Sequence, residues 1–340
     1  MNPTDCDNLT ADPVDITVVV PVYKSSACLE ELLKLLTAQL ESMGKSHEVI
    51  LVEDCSPDNS WEVIKQLAPQ YPNLRAFHLM RNSGQAKATL CGLAHARGEI
   101  VITMDDDLQH RPDQIPRLIE TLEQDPTLDC AFGVFRKKKH AGYRNLGSRV
   151  LRWINHIEYN LPASTRTSSF RALRQSLVQA LTHYQTRTPT ILALILESTR
   201  RIDSVEVEHA HRFAGQSNYN LRRQFVLAFD NICNVSVLPL RLVTFMGIVF
   251  CALSLVMVLV VLIQKLTGNI GIEGWTTVVI LVSFFSGVIM LSLGIMGEYL
   301  SRIISEVQGS PPYLIREQQT GGQACPAPST QSAEMQENHP

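Results

Sequence analysis

The stretch Val101-Ile102-Thr103-Met104-Asp105-Asp106-Asp107-Leu108-Gln109 joins an apolar run to three adjacent carboxylates. Val, Ile and Thr favour a strand, and a strand without polar alternation is buried on both faces, as in a parallel sheet. Three neighbouring carboxylates repel one another and lose hydration if they follow the strand inward, so the turn must stay wet or receive a cation. Oxygen-only ligands suit Mg²⁺ or Mn²⁺, and Mg²⁺ is commonly held by one or two carboxylates plus substrate phosphates. A nucleoside diphosphate is therefore the natural second guest. A solvated acidic turn without a guest is the plainer alternative.

The same layout recurs towards the N-terminus. Asp15 to Val22 reads as a strand, Ala27 to Leu40 as a helix, Val49 to Val52 as a strand, and Ser60 to Leu67 as a helix. Arg75 to Leu79 is strand-like, Gly84 to Ala96 helical, Ile100 to Met104 a strand, and Leu128 to Phe135 a further one. Apolar strands alternating with helices predict an α/β fold with a mainly parallel sheet covered on both faces. Ligands of such sheets sit beyond the carboxyl ends of the strands. That rule aligns Pro21 to Tyr23, Glu53 to Asp58, Arg81 to Gln85 and Asp105 to Gln109 along one crevice.

Glu53 and Asp54 can accept hydrogen bonds from a base N–H and from ribose hydroxyls. Asp58 and Ser60 equally suit a turn that caps the following helix. Arg81, Asn82, Ser83, Gly84 and Gln85 lie between strand and helix, where glycine permits close backbone approach and a helix N-terminus favours an anion.

The formal net charge of −3 over 340 residues gives no nucleic-acid signal. Charge is nevertheless unevenly spread. Leu242 to Ile263 and Trp275 to Gly297 contain no charged residue, and each is longer than the roughly 20 residues that span a bilayer. Arg222, Arg223 and Arg241 precede the first stretch and Arg302 follows the second, while the connecting loop offers only Lys265 against Glu273. The positive-inside bias predicts a transmembrane hairpin with both chain ends, and the large N-terminal domain, in the cytosol of a plasma-membrane protein. Residues 1–14 carry acidic residues without an apolar segment, so a disordered start and no signal peptide are expected. Eight cysteines lack Cys-x-x-Cys spacing and read as reduced thiols.

A basic run, Arg136 to His140, precedes Leu146, Val150, Trp153, Ile154 and Ile157 at helical spacing. That helix suits a membrane surface or packing on the domain. Leu221, Phe225, Phe229 and Ile232 give a second amphipathic helix, over 220–240, beside the first span. The tail from about Gln318 onward has a disordered composition.

Together these segments resemble the family-2 glycosyltransferases, and within them the polyprenyl-phosphate glycosyltransferases. The resemblance is carried by Val19-Val20-Pro21-Val22-Tyr23, Val52-Glu53-Asp54-Cys55-Ser56-Pro57-Asp58, Arg81-Asn82-x-Gly84-Gln85 and Met104-Asp105-Asp106-Asp107-Leu108-Gln109. It continues through Phe170-Arg171-Ala172-Leu173, Arg212-Phe213-x-Gly215-x-Ser217-x-Tyr219 and Gly297-Glu298-Tyr299-Leu300-x-Arg302-Ile303. It implies a GT-A-type nucleotide-binding domain over 15–219, a hairpin within 241–300 and a cytoplasmic tail over 301–340. It also implies that Pro21, Tyr23, Glu53, Asp54 and Asp58 surround the nucleoside, with Arg81, Asn82, Gly84, Gln85 and Asp106 beside them. Asp105 and Asp107 become the Asp-x-Asp pair that holds Mg²⁺ or Mn²⁺, Arg212 and Ser217 face phosphate, and Arg136 lies near the same site with basic neighbours that suit anionic head groups or the lipid phosphate. The implied partners are a nucleoside-diphosphate sugar, by family habit a uridine one, a polyprenyl phosphate and further copies of the chain in a homo-oligomer such as a tetramer.

A lipid phosphate monoester has a second pKa of about 6, so it is largely dianionic at neutral pH and attacks an anomeric carbon without a protein base. A single displacement inverts that carbon. Many relatives place an acidic residue shortly before the segment at Phe170, whereas this chain reads Ser164-Thr165-Arg166-Thr167-Ser168-Ser169. Two other readings remain: a processive polysaccharide synthase, disfavoured by the missing Gln-x-x-Arg-Trp signature and the small number of spans, and a catalytically silent nucleotide-binding anchor.

Overall fold

The computed structural model describes residues 14–135, 166–184, 186, 189–208, 245–249, 252, 256, 263, 274–307 and 311–322. The chain divides into two compact units, one containing the sheet, the other comprising 149–154 and 219–310. Arg136, Arg212, Ser217 and the two expected interfacial helices lie outside the described residues.

The first half of the sheet unit alternates as expected: β1 (Ile16–Val22), α1 (Leu29–Ser42), β2 (His47–Glu53), α2 (Ser60–Leu67), β3 (Leu74–Leu79), α3 (Gln85–Ala94) and β4 (Ile100–Thr103). It continues with α4 (Ile115–Gln124), β5 (Cys130–Phe135), β6 (Arg171–Arg174), α5 (Gln175–His183), α6 (Ile191–Ser198) and β7 (Ile202–Val207). After α7 (Trp275–Val307) in the second unit, the chain re-enters the sheet as β8 (Ile315–Thr320). The strand order is β7-β5-β6-β4-β1-β2-β3-β8. Strands β1 to β4 pair in parallel, as do β5 and β7, whereas β6 and β8 run antiparallel to their neighbours.

Both faces of the sheet are covered, which explains the unbroken apolar runs. One face packs against Leu29, Leu32, Leu33, Leu36 and Leu40 of α1, Ile64 of α2 and Leu118 of α4. The other packs against Leu90 and Cys91 of α3, Leu177 of α5 and Ile195 of α6. Gly92 lets α3 press onto β1, since a Cβ there would stand 2.3 Å from Val19 Cγ1.

The C-terminal segment corrects one expectation. Helix α7 runs through 301–307, and Gln318 to Thr320 are not a disordered start of a tail but the end of β8. Arg75 to Leu79 of β3 pair with Thr320 to Ile315, and Trp61 Nε1 donates to Glu317 Oε2 at 2.8 Å. The edge that β3 would otherwise expose is thereby closed. Helix α7 contains the expected second span and is the one helix among the described residues long and apolar enough to cross a membrane, over Phe284–Ser301. Of the expected first span, the described residues 245–249, 252, 256 and 263 are helical.

Candidate active site

The carboxyl ends of β1, β2 and β4 open onto one cavity of about 580 Å³, within the size range of small-molecule sites. Each of these strands is followed by a non-glycine residue with positive φ: Lys24 at 58°, Cys55 at 49° and Leu108 at 59°. Such backbone persists only where its surroundings hold it, and it concentrates at ligand sites.

Pro21, Tyr23, Asp54, Asn82, Gly84, Gln85, Asp105, Asp106 and Asp107 all line this cavity. The fold thus brings together nine of the residues singled out by sequence. Gly84, at φ 92°, immediately precedes α3, a conformation that glycine adopts without penalty.

The three adjacent aspartates do different things. Asp105 is clasped from two sides: Gln85 Nε2 donates to its Oδ1 at 2.6 Å and Ser169 Oγ to its Oδ2 at 2.8 Å. Its backbone N–H donates to His110 Nδ1 at 3.0 Å. His110 is 3% exposed and stacks on Phe135 and Phe170, with ring centroids 5.4 and 5.1 Å away. The same Nδ1 lies 3.7 Å from Asp105 Oδ2, but a nitrogen that accepts the N–H has no proton to give the carboxylate. Asp107 Oδ1 accepts the Gln109 N–H at 3.1 Å.

Asp106 turns towards β1. Its Oδ2 accepts from the Tyr23 N–H at 3.0 Å and from Ser25 Oγ, which ties the β1–α1 loop to the acidic turn. Burial pushes its carboxyl above the ordinary 3.8, and the Asp105 charge adds to that. Ionised Asp106 therefore costs the fold stability increasingly as pH rises through that ordinary value. Asp106→Asn retains an acceptor oxygen and removes the charge, so its melting temperature is expected to exceed that of the wild type at pH 7, with the gain vanishing below about 3.8. A lower melting temperature at pH 7 would show that the β1–α1 loop needs the charge itself.

Asp54 likewise organises the wall. Its two oxygens accept the N–H groups of Ser83 and Gly84 at 2.6 and 2.7 Å. Burial raises its carboxyl pKa despite these bonds.

Three of the expected nucleotide-site residues do not line the cavity. Glu53 does not reach the cavity: it is 1% exposed, accepts from the Ser56 N–H and faces His78 Nδ1 across the sheet. Asp58 binds Ser60 Oγ at 2.7 Å and the Ser26 N–H at 3.3 Å, in accordance with the turn-forming alternative. Burial opposes its ionisation, but the bonds from Ser60 and Ser26 prevail and hold its pKa below 3.8. Arg81 is exposed and does not line the cavity.

Sequence reasoning missed Lys24, Ser25, Ser26 and Cys28, which complete the wall between β1 and α1. The signal was present in Lys24-Ser25-Ser26-Ala27-Cys28, a polar turn directly after an apolar strand. Ser169 and His110 carried no local signal, because their role depends on sheet pairing.

Residues 17–182 match the profile described as glycosyl transferase family 2. The chain is 33% identical over 305 residues to an undecaprenyl-phosphate 4-deoxy-4-formamido-L-arabinose transferase of Edwardsiella ictaluri, covering 88% of this chain and 93% of that protein. A protein of the same name from Aeromonas hydrophila is 31% identical over 323 residues, 94% of this chain and 98% of its own. Among solved structures, glucosyl-3-phosphoglycerate synthase from Mycobacterium tuberculosis, in complex with Mn²⁺, UDP and glucosyl-3-phosphoglycerate, superposes with a TM-score of 0.50 at 16% identity. That match covers 65% of this chain and 78% of the synthase, and it establishes the GT-A-like α/β fold alone. With residues 17–182 matching that profile and 31–33% identity to two named transferases over nearly the whole of both chains, the chain belongs to glycosyl transferase family 2.

Proposed function

We propose that this protein transfers a sugar from a nucleoside-diphosphate sugar, with uridine as the favoured base, to undecaprenyl phosphate, giving a lipid-linked monophosphate sugar at the cytoplasmic face of a membrane. The observation that carries this reading is the 31–33% identity, over most of the chain, to two undecaprenyl-phosphate sugar transferases. The cavity beyond β1, β2 and β4 supports it, being of suitable size and bordered by backbone and amide donors as well as carboxylates.

Among the described residues no three His, Cys, Asp or Glu side chains converge into a metal cage. Asp105 and Asp107 supply two hard oxygen donors, which fits Mg²⁺ or Mn²⁺ bound jointly with a diphosphate rather than by protein alone. Such an ion supplies charge neutralisation for the departing nucleoside diphosphate. Asp105 and Asp107 would hold it, Tyr23, Asp54, Asn82, Gly84 and Gln85 would border the nucleotide, and Asp106 would keep the β1–α1 loop in place. The family resemblance assigns Arg212 and Ser217 to the phosphates and puts Arg136 near the same site. The acceptor phosphate, already ionised at neutral pH, attacks the anomeric carbon and inverts it. The absence of an acidic residue from Thr165 to Ser169 is compatible with this, because the nucleophile needs no base.

The reading includes a two-span hairpin over about 242–263 and 275–297, both chain ends in the cytosol, and a homo-oligomer. The arginines flanking the apolar stretches support the orientation.

Purified full-length protein incubated with Mn²⁺, labelled sugar nucleotides and undecaprenyl phosphate is expected to give lipid-extractable label of inverted anomeric configuration. Long polymer would indicate a processive synthase, and no label with any donor would indicate a silent binding protein. Product that retains the donor's configuration would overturn the single displacement.

A further inference from the structure

We propose that Ser169 is a positioning residue for Asp105, seated by the buried side chains of Thr103 and Arg171. This rests on the reading of Asp105 as a metal ligand.

The direction of each hydrogen bond is fixed by proton count. Arg171 has only donors, so its Nε donates to Thr103 Oγ1 at 3.0 Å. The single hydroxyl proton of Thr103 is then free to go to the Ser169 carbonyl oxygen, 2.7 Å away. Ser169 in turn gives its own hydroxyl proton to Asp105 Oδ2 at 2.8 Å. The chain Arg171, Thr103, Ser169, Asp105 therefore runs one way, from a buried guanidinium on β6 to a carboxylate at the cavity wall. Its inner end is rigid: Arg171 is 6% exposed, Thr103 2% exposed, and the two are paired across β4 and β6.

Such an arrangement does more than fill space. A buried guanidinium loses its hydration and is tolerated where it finds hydrogen bonds and opposite charge; here Thr103 Oγ1 takes up its Nε–H, and the Asp105 carboxylate stands at the other end of the same chain of bonds. From the other side, Gln85 Nε2 holds Asp105 Oδ1 at 2.6 Å. With one donor on each oxygen the carboxylate cannot rotate freely. A carboxylate offers about four lone-pair sites, so acceptor capacity remains for a cation in that fixed orientation. Ser169 closes the acid-free segment Thr165 to Ser169, and it brings to the Asp105 carboxylate a hydrogen-bond donor rather than a further negative charge.

Outer partners of metal-binding carboxylates typically matter by 10- to 100-fold in metal affinity. The test is Mn²⁺ binding to the full-length protein in saturating UDP, read as loss of the free-ion electron paramagnetic resonance signal. Ser169→Ala is expected to weaken Mn²⁺ binding about 10-fold, with an unchanged melting temperature because Ser169 is only partly buried. Ser169→Thr, which keeps the hydroxyl, is expected to restore most of the affinity. If Ser169→Ala binds Mn²⁺ like the wild type while Asp105→Asn does not, the positioning role is overturned and the metal site stands. The role is equally overturned if Ser169→Thr fails to restore binding. If Asp105→Asn itself binds Mn²⁺ normally, the metal reading falls, and the role of Ser169 with it.

Discussion

Asp107→Asn is expected to lower sugar transfer by about a hundred- to a thousandfold while leaving the melting temperature within a degree or so of the wild type's. The asymmetry follows from what the three aspartates do. Asp106 is committed to the β1–α1 loop and Asp105 is clasped by Gln85 and Ser169. Asp107 lines the cavity and holds the Gln109 N–H, a bond that an asparagine oxygen can keep. The substitution therefore leaves local geometry in place and removes one negative charge from the proposed ion site. That charge matters most when the leaving diphosphate is being neutralised, so turnover should fall more than substrate affinity. The check is the rate of lipid-extractable label at saturating donor and Mn²⁺, with melting temperature measured in parallel. Near-normal turnover would remove Asp107 from the ion site.

Glu48→Ala is expected to cost about 3–5 kcal/mol of stability, a fall of roughly 10 °C in melting temperature for a domain of this size. Glu48 lies near the start of β2, at the opposite end of the sheet from the cavity, with its side chain 2% exposed. It accepts from Thr17 Oγ1 and from the Arg97 backbone N–H, both at 2.8 Å, and from Arg97 Nε at 3.0 Å. Arg75 Nη1 adds a contact at 3.3 Å, with a side chain only 13% exposed. Removing the carboxylate leaves Arg75 largely buried and without this counter-charge, the costly half of a broken buried pair. Burial opposes ionisation of Glu48, but the hydrogen bonds and the Arg97 charge prevail and hold its pKa below the ordinary 4.5. Its stabilisation is thus fully present above that value and is lost as pH falls through the lower folded-state pKa. The difference in melting temperature between wild type and Glu48→Ala should be largest near neutral pH and shrink in acid. A difference that does not change with pH would show that lost packing, rather than the carboxylate, is responsible.

Strands β1 to β4 and helices α1 to α3 were legible because their apolar runs are unbroken and each ends in a polar turn. Helix α4 is absent from the sequence expectations, although Ile115, Leu118, Ile119 and Leu122 carry its helical spacing. The second half of the sheet was harder to read. Strand β6 begins and ends in arginine, and Arg171 is buried only because β4 brings Thr103 beside it. Strand β8, Ile315-Arg316-Glu317-Gln318-Gln319-Thr320, is polar because it is an edge strand with most of its residues solvated. Its partner β3 lies more than two hundred residues away in sequence, so no local pattern announces the pairing. For the site, strand-end placement located the cavity correctly, but the division of labour among the aspartates depended on donors from other loops. Glu53 shows the limit of the rule: adjacent residues at a strand end point to opposite sides, so Asp54 reaches the cavity wall and Glu53 does not.

Strand β8 also constrains how the chain passes through a bilayer. A polypeptide that leaves an aqueous domain at Val207 and pairs back into the same sheet at Ile315 begins and ends that excursion in one compartment. Any traverses in between must be even in number. If α7 is one of them, it needs a companion earlier in the chain, and an odd count would tear β8 from β3.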